Sequence, residues 1–114
     1  MSAQGVRDTP DDGGATRGDA PLLTGRQRKA LRGRAHRLQP VVLVGRDGVT
    51  DAVLRAVGEA LTTHELVKVR LHEPEDKRSA AEMLAEGTRA ALCGLVGHTV
   101  ILFRPHPERP KIIF

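Results

Sequence analysis

A run of basic side chains that contains no acid is the strongest chemical signal in this sequence. Between Arg26 and Arg37 there are six Arg or Lys residues and one His, and no Asp or Glu. On a helix, at about 100° per residue, one polar face would carry Arg26, Lys29, Arg32, His36 and Arg37. An ordinary solvated face mixes both signs, and like charges one turn apart repel by a few tenths of a kcal/mol per pair. We therefore expect this face to bind the phosphate backbone of a nucleic acid.

A glycine loop follows the basic stretch. The segment Gly45-Arg46-Asp47-Gly48 stands between a predicted strand and a predicted helix. Its glycines permit positive φ and remove side-chain bulk, and the N-terminus of the next helix favours an anion. A Gly-x-x-Gly loop that clamps backbone nucleotides is a known RNA-binding device, although Asp-Gly is also an ordinary turn. We expect the loop and the basic helix to lie side by side and to bind RNA together.

Residues that could support catalysis or hold a metal are scarce. The five histidines lack the spacing of metal ligands, and Cys93 is the only cysteine. We expect Cys93 to be a small buried apolar residue. No phosphate-binding Walker loop or nucleophile elbow is present, so we expect no catalytic residue, no metal and no cofactor. With Phe103 and Phe114 as the only aromatics, recognition of RNA backbone and shape is favoured over stacking on unpaired bases.

Periodic patterns predict the elements that position the basic residues. Thr24, with Gln27 as capping-box partner, predicts a helix from about 24 to 38, with Leu31, Ala35 and Leu38 inside. The continuous apolar run 41–44 predicts a buried central strand. After the loop, a second helix is capped by Thr50 and frays near 62–64. Its apolar face consists of Val53, Leu54, Val57 and Leu61.

The second half of the chain predicts one more helix and the rest of a sheet. Alternation over 66–71 predicts a half-buried strand. A third helix is expected from 76 to about 92, with Ala80, Met83, Leu84, Gly87 and Ala91 facing inward. Strands 95–96 and 99–104 follow, and 111–114 offers a last edge segment. The order αβαβαββ predicts an α/β sandwich of two or three layers around a four-stranded mixed sheet.

Composition divides the chain into two regions. Residues 1–21 carry a net charge of −2 and almost no apolar anchor, which predicts a disordered acidic tail. Residues 22–114 carry +6 and form the predicted globular domain, whose basic character favours a polyanionic partner. No apolar run reaches membrane-spanning length and no secretory signal is visible. These features predict a cytoplasmic protein without a membrane partner.

Several short motifs occur in a characteristic order over residues 22–110. They are Leu23-Thr24, Gln27-Arg28, Leu31-Arg32, Ala35-His36, Leu38-Gln39-Pro40-Val41-Val42, Gly45-x-x-Gly48-Val49-Thr50, His64-Glu65-Leu66-Val67-Lys68-Val69, Gly97 with Thr99, and Phe103-Arg104-Pro105. In this combination the chain resembles the YhbY family of bacterial RNA-binding proteins, the stand-alone form of the CRM (chloroplast RNA splicing and ribosome maturation) domain. Two features depart from the family: His98 stands where Lys is common, and the acidic N-terminal tail lies outside the match.

The resemblance implies both a fold and a role. The fold would be like that of the C-terminal domain of bacterial translation initiation factor three, with a CRM-type domain over 22–114. The role would be assembly of the large ribosomal subunit, with its RNA precursors as ligand and ribosomal proteins as further partners. Similar domains occur in plant organelle intron-splicing factors. The expected RNA-binding residues are Arg26, Arg28, Lys29, Arg32, His36, Arg37, Gly45, Arg46, Asp47 and Gly48.

An interaction module that docks on a ribosomal protein or an assembly GTPase is the alternative function. The two functions differ in their response to salt, because phosphate contacts predict a steep fall in affinity with added salt. An apolar interface predicts a shallow one.

Overall fold

The computed structural model describes residues 20–112, which form three helices and one four-stranded sheet. In chain order the elements are α1 (Gly25–Ala35), β1 (Pro40–Val44), α2 (Asp51–His64), β2 (Leu66–Leu71), α3 (Lys77–Thr88), β3 (Ala91–Val96) and β4 (Thr99–Phe103). The predicted order αβαβαββ and the mixed sheet are confirmed. The predicted acidic tail lies outside the described residues except for its last two positions. Of the segment 111–114 only Lys111 and Ile112 are described, and neither is in a strand.

The strands lie in the order β1-β2-β4-β3. The pair β1-β2 is parallel, and the other two pairs are antiparallel. The C-terminal ends of β1 and β2 therefore meet the β3–β4 turn at one end of the sheet, which we call the upper end. Two backbone hydrogen bonds join these loops: Leu71 N–H donates to His98 O (2.7 Å), and His72 N–H donates to Val44 O (3.0 Å).

Helices cover both faces of the sheet, so the domain has three layers. The helices α2 and α3 pack on one face, where Val57, Leu61, Ala81 and Leu84 meet the strand residues Val67, Val69, Leu71, Val100 and Leu102. The helix α1 packs on the other face, where Leu31 and Ala35 meet Leu66, Cys93, Ile101 and Phe103. Successive residues of β2 and β4 alternate between the two cores, as the two-residue period of a strand requires.

The strand β1 is an edge strand, so the prediction of a buried central strand at 41–44 was wrong. Its inner residues Val42 and Val44 pack toward α2 and α3. Its other face is open, because α1 packs mainly on the remaining three strands. Val41 is exposed on that face and Leu43 is 61% exposed. A continuous apolar run therefore does not distinguish an edge strand with one covered face from a strand covered on both faces.

The helix α3 ends earlier than predicted, and β3 is longer. The prediction of a helix to about 92 and a strand only at 95–96 was wrong. Arg89 adopts a left-handed conformation (φ 58°) and its N–H donates to the carbonyl of Ala85, which closes the helix. Because a left-handed C-cap is usually Gly or Asn, the residue type at position 89 did not indicate this ending. Met83, predicted inside, is exposed, whereas Ala81 is buried.

The other two helices also differ from prediction at their C-terminal ends. The helix α1 ends at Ala35, so Leu38 lies beyond it and is 37% exposed instead of buried. The helix α2 stays helical to His64 instead of fraying, and the hydroxyls of Thr62 and Thr63 donate hydrogen bonds to carbonyls one turn earlier. No helix within residues 20–112 combines the length and apolarity that crossing a bilayer would need.

Glu65, the residue that ends α2, anchors the C-terminal segment 104–112. It is 1% exposed, and its carboxylate accepts hydrogen bonds from the backbone N–H groups of His106 (2.6 Å), Lys111 (2.9 Å) and Ile112 (2.9 Å). Burial alone would raise the pKa of this carboxyl. The N–H donors and the charge of Lys111 outweigh burial and lower the pKa below its ordinary value. The carboxylate thus holds the segment against the end of α2.

Candidate nucleic-acid interface

The helix α1 begins where the sequence predicts, because Thr24 and Gln27 cap it reciprocally. Gln27 N–H donates to Thr24 Oγ1, and Thr24 N–H donates to Gln27 Oε1, both at 3.0 Å. Leu31 and Ala35 are fully buried against the sheet. Their partners lie in the lower half of the sheet, so α1 covers only that half. Its polar side chains project outward.

Two long basic side chains bind α1 to the middle of the sheet. Arg32 Nη1 donates to the carbonyl of Cys93 (2.9 Å), and its stem lies directly over Gly94, where a Cβ would be 2.7 Å from Arg32 Cδ. Beyond the C-terminal end of the helix, Lys68 Nζ donates to the carbonyl of Leu38 (3.1 Å). Lys68 and Gly94 both pair with Ile101, so the two anchors lie in one row of the sheet. That row is the upper limit of the area that α1 covers.

The predicted basic residues of the helix do not all lie within one arc of its surface. At about 100° per residue, four of them fall within an arc of about 100° on the side of Arg32. We call these four, all exposed, the basic flank: Arg28, Lys29, Arg32 and His36. Arg26 lies about 60° beyond Lys29, on the surface of the helix that points away from the sheet, and Arg37 follows the C-cap residue. The arc therefore contains four of the six predicted helix residues, and Arg26 and Arg37 lie outside it.

Charge is segregated between the two sides of the domain. The helix α1 and all four strands contain no Asp or Glu, and the carboxylates of residues 20–112 lie in α2, α3, the loops and the C-terminal segment. Within that range, the basic side chains of α1 form no salt bridge. A cluster of cations without neighbouring anions has a high positive potential, which attracts a polyanion.

Two basic residues of β2 belong to this side and were not among the predicted site residues. Lys68 and Arg70 alternate with the core residues of β2, so they project toward the α1 side. Lys68 is half-buried and Arg70 is exposed. The alternation was visible in the sequence. Only the packing of α1, however, shows that this face is the one that α1 shares.

The glycine loop forms a compact turn at the upper end of β1. Gly48 N–H donates to Gly45 O (3.1 Å), and Gly48 adopts a positive φ of 76°. Neither glycine has an atom within 4 Å of the position where a Cβ would stand, so both face open space. Arg46 and Asp47 are exposed at the tip. This geometry leaves the loop backbone accessible to a large ligand.

The N-terminus of α2 is less available to an anion than its position after the loop suggests. Thr50 already caps it by accepting a hydrogen bond from Val53 N–H (3.2 Å), and Asp51 places a carboxylate in the first turn. Both features offset the positive end of the helix dipole. The accessible groups are therefore in the loop itself.

An acidic wall borders the other side of the loop. A cavity of about 420 Å³ separates the loop from the β2–α3 connection, whose carboxylates are Glu73, Glu75 and Asp76. These side chains are exposed and would repel a phosphate. A polyanion that reaches the loop is therefore expected to approach from the side of α1.

The loop and the basic flank do not lie side by side, as the sequence suggests they would. The flank borders the row of Lys68, and the loop follows the row of Leu71. At roughly 3.3 Å per residue, the loop lies about 10 Å farther up the sheet than the flank. It also lies three strands away, at about 4.8 Å per strand, because Arg32 lies over β3 and the loop follows β1. A ligand that touches both must therefore lie across the sheet.

The thiol of Cys93 lies beneath the basic flank and is chemically quiet. It is 2% exposed, which agrees with the prediction of a buried apolar residue. Burial raises its pKa to about 11, although the charges of Arg28 and Arg32 act in the opposite direction. The thiol is therefore protonated near neutral pH. Within residues 20–112 no group of three or more His, Cys, Asp or Glu side chains has a geometry suited to a metal ion.

Proteins of known sequence or structure share this architecture. The family model of the CRS1/YhbY (CRM) domain matches residues 23–104. YqeI of Bacillus subtilis, named as a probable RNA-binding protein, is 39% identical over 93 residues, which cover 80% of this chain and 97% of YqeI. A Haemophilus influenzae protein named as an RNA-binding protein is 38% identical over 88 residues, which cover 75% of this chain and 89% of that protein.

A solved structure agrees with the sequence comparisons. The solution structure of the hypothetical protein SAV1595 from Staphylococcus aureus superimposes with a TM-score of 0.71 at 31% identity. The superposition covers 81% of this chain and 98% of SAV1595. Fold, family model and relatives agree, and the chain belongs to the CRS1/YhbY (CRM) domain family.

Proposed function

We propose that this chain binds RNA along its sugar-phosphate backbone, through the basic flank of α1 and the loop 45–48. The observation that carries the proposal is the segregation of charge: the basic residues of α1 lie on one side of the sheet, and neither α1 nor any strand contains Asp or Glu. Binding a nucleic acid there releases condensed counterions, which stabilises the complex. The scarcity of aromatic residues favours contact with the backbone over stacking on bases.

The residues of the proposed site differ in what each would contribute. The helix supplies Arg26, Arg28, Lys29, Arg32, His36 and Arg37, and the loop supplies Gly45, Arg46, Asp47 and Gly48. Guanidinium groups suit bidentate contact with phosphate oxygens, and the glycines admit a phosphate close to the loop backbone. Asp47 repels phosphate, so its part would be to support the turn.

The names of the relatives and the family resemblance support the proposal at two levels. YqeI and the Haemophilus influenzae protein are both named for RNA binding, and the matched region spans most of each. The resemblance to the YhbY family extends the proposal to RNA precursors of the large ribosomal subunit in the cytoplasm, with ribosomal proteins as further partners. The function proposed is non-enzymatic.

A pair of charge-reversed variants tests the proposal. Arg28→Glu with Lys29→Glu removes two exposed cations of the basic flank. The matched control is Lys77→Glu with Arg78→Glu, an adjacent exposed pair on α3 and hence on the opposite face of the sheet. If each lost contact is a charge-assisted hydrogen bond of about 1.5 kcal/mol, the first variant should bind a large-subunit ribosomal RNA fragment about a hundredfold more weakly. Equal affinities for the two variants would reject the proposal.

Salt titration measures the same contacts independently. For single-stranded RNA the slope of log K against log salt changes by about 0.7 per phosphate contact. Replacing Arg28 and Lys29 with Gln should therefore reduce the slope by about 1.4. Arg32 is less suitable for this test, because its guanidinium also holds α1 to Cys93.

Docking on a ribosomal protein or an assembly GTPase is the second candidate function. The observation that favours it is an apolar groove of about 330 Å³ at the lower end of the sheet, lined by Leu38, Val41 and Ile112 among others. Such an interface predicts a shallow salt dependence and sensitivity to Val41→Ser instead of to Arg28→Glu. Pull-down of ribosomal precursors with each variant, before and after RNase treatment, separates the two functions.

A further inference from the structure

The upper half of the sheet face that α1 leaves uncovered forms a continuous row of side chains. Arg70 pairs with Leu43 on one side and with Thr99 on the other, and Thr99 pairs with Val96. The row therefore crosses all four strands in the order Leu43, Arg70, Thr99 and Val96. At about 4.8 Å between strands, it is about 14 Å wide. We call it the open row.

The open row is accessible and its composition is unusual for an exposed surface. Leu43 and Val96 are each 61% exposed, and Arg70 between them is exposed as well. On the same face of the sheet, the open row lies directly above the row of Lys68, Ile101 and Gly94. The area that α1 covers ends at that lower row, where its two anchors lie. It thus fills the space between the basic flank and the glycine loop.

The surroundings of the open row favour an anionic occupant. Arg32, whose stem lies over Gly94, borders it on the side of α1, and Lys68 lies beside Leu38 at the same border. No strand contributes a carboxylate, and the acidic wall of Glu73, Glu75 and Asp76 lies on the α2–α3 side of the loop. An anion over the row therefore meets cations on the row and along α1.

A second copy of this chain fits the open row poorly. A face-to-face dimer would place the open rows of two copies against each other and bury both Arg70 side chains in one interface. Because no strand carries an acid, the interface would bury two like charges without a counter-charge, which is strongly unfavourable. A strand of RNA supplies the missing negative charge, and its riboses and bases can cover the apolar ends.

We propose that an RNA strand crosses the open row on its way from the basic flank to the glycine loop. Arg70 binds a phosphate at the centre of the row, and Leu43 and Val96 pack against riboses or bases at its two ends. The inference rests on the proposed RNA binding and adds to it a third contact area, in the sheet. It also explains how one ligand reaches two elements that lie at opposite edges of the sheet and about 10 Å apart along the strands.

Two single variants test this contact area. Arg70→Gln should weaken binding of an unstructured RNA oligonucleotide about tenfold and reduce the salt slope by about 0.7, the contribution of one phosphate. Leu43→Ser should weaken binding several-fold without changing the slope, because it removes an apolar contact. Both side chains are exposed, so both variants should unfold at the wild-type temperature.

The control variant is Arg89→Asn, at the C-cap of α3 on the opposite face. It removes one positive charge, as Arg70→Gln does, and Asn tolerates the left-handed conformation of this position. We expect it to bind RNA as the wild type does. The reference variant is Arg28→Glu with Lys29→Glu, which tests RNA binding by α1 without touching the row.

The outcomes separate the two proposals. If the reference variant loses binding while Arg70→Gln and Leu43→Ser bind normally, the open row is not a contact area, although RNA binding stands. If the reference variant also binds normally, RNA binding by α1 fails and the open row fails with it. Equal losses for Arg70→Gln and Arg89→Asn would overturn the row as well, since only net charge would matter. Sedimentation that shows a dimer split by Leu43→Ser would assign the row to a second copy instead.

Discussion

The two glycines of the loop 45–48 have different expected roles: Gly45 is required for RNA binding, and Gly48 is required for folding. Gly48 has a φ of 76°, which an L-residue adopts only with strain, whereas Gly45 has no positive φ. Around both positions the space that a Cβ would take is empty. Alanine at Gly45 should therefore leave the fold intact and reduce only the room for a ligand. Alanine at Gly48 should disturb the fold itself.

The expected magnitudes follow from this difference. A non-glycine residue in the left-handed region costs about 1–2 kcal/mol, so Gly48→Ala should lower the unfolding temperature by roughly 5 °C in a domain of this size. Gly45→Ala should leave the unfolding temperature unchanged or raise it slightly, because alanine restricts the unfolded chain. If a phosphate packs against the loop backbone, the new methyl group at Gly45 should weaken RNA binding about tenfold, comparable to overpacking by 1–3 kcal/mol.

The assay combines thermal unfolding with RNA titration on the same protein samples. Gly58→Ala is the matched control, because Gly58 lies in α2 on the opposite side of the sheet and also has open space at its Cβ position. It should bind RNA normally. If Gly45→Ala is as stable as the wild type and binds RNA equally well, the loop backbone does not receive the ligand, and the reasoning about the Gly-x-x-Gly turn is refuted.

Three further predictions concern the residues that hold the site in place. Glu65→Gln should lower the free energy of unfolding by about 3 kcal/mol at pH 7; because the folded pKa of Glu65 is lowered, its contribution is complete above the ordinary value of 4.5 and is lost as the pH falls through the folded value. Urea denaturation at pH 7 and pH 3 should show this difference shrinking, and a constant difference would contradict the charge-based account. Cys93 should react with thiol reagents at pH 8 only after denaturation, and rapid reaction of the native protein would contradict its burial. Gly94→Ala should displace Arg32 and break its hydrogen bond to Cys93 O, with a loss of about 1 kcal/mol in urea denaturation; unchanged stability would mean that the Arg32 stem moves freely.

Local signals predicted most of the fold because each one acts within a few residues. The capping box at Thr24 and the cap at Thr50 mark the starts of α1 and α2 as the structure has them. The alternation of 66–71 and the run at 99–104 predict two strands whose observed bounds are almost the same. Strands separated by helices then leave few ways to build the sheet.

The errors occurred where a boundary depends on a contact made far along the chain. Arg89 closes α3 in a left-handed conformation that is unusual for Arg, so the predicted helix extended into β3. No local pattern indicates that the carboxylate of Glu65 is buried, because the segment that buries it follows about 40 residues later. The edge position of β1 likewise depends on where α1 packs, and no pattern within 41–44 reports it.

The candidate site was predicted as a helix and a loop, and the sheet between them was missed for a reason that can be stated in physical terms. The residues of β2 that face α1 change along the strand from apolar Leu66, under the helix, through Lys68, at its border, to Arg70, beyond it. Taken alone, this alternation predicts only a half-buried strand. Because α1 covers just the lower half of the sheet, the same three residues mark the border of the covered area. A charged ligand can bind the sheet beyond that border. The change from apolar to basic residues along β2 was therefore visible in the sequence. Only the packing of the eleven-residue helix α1 shows that it marks an uncovered surface.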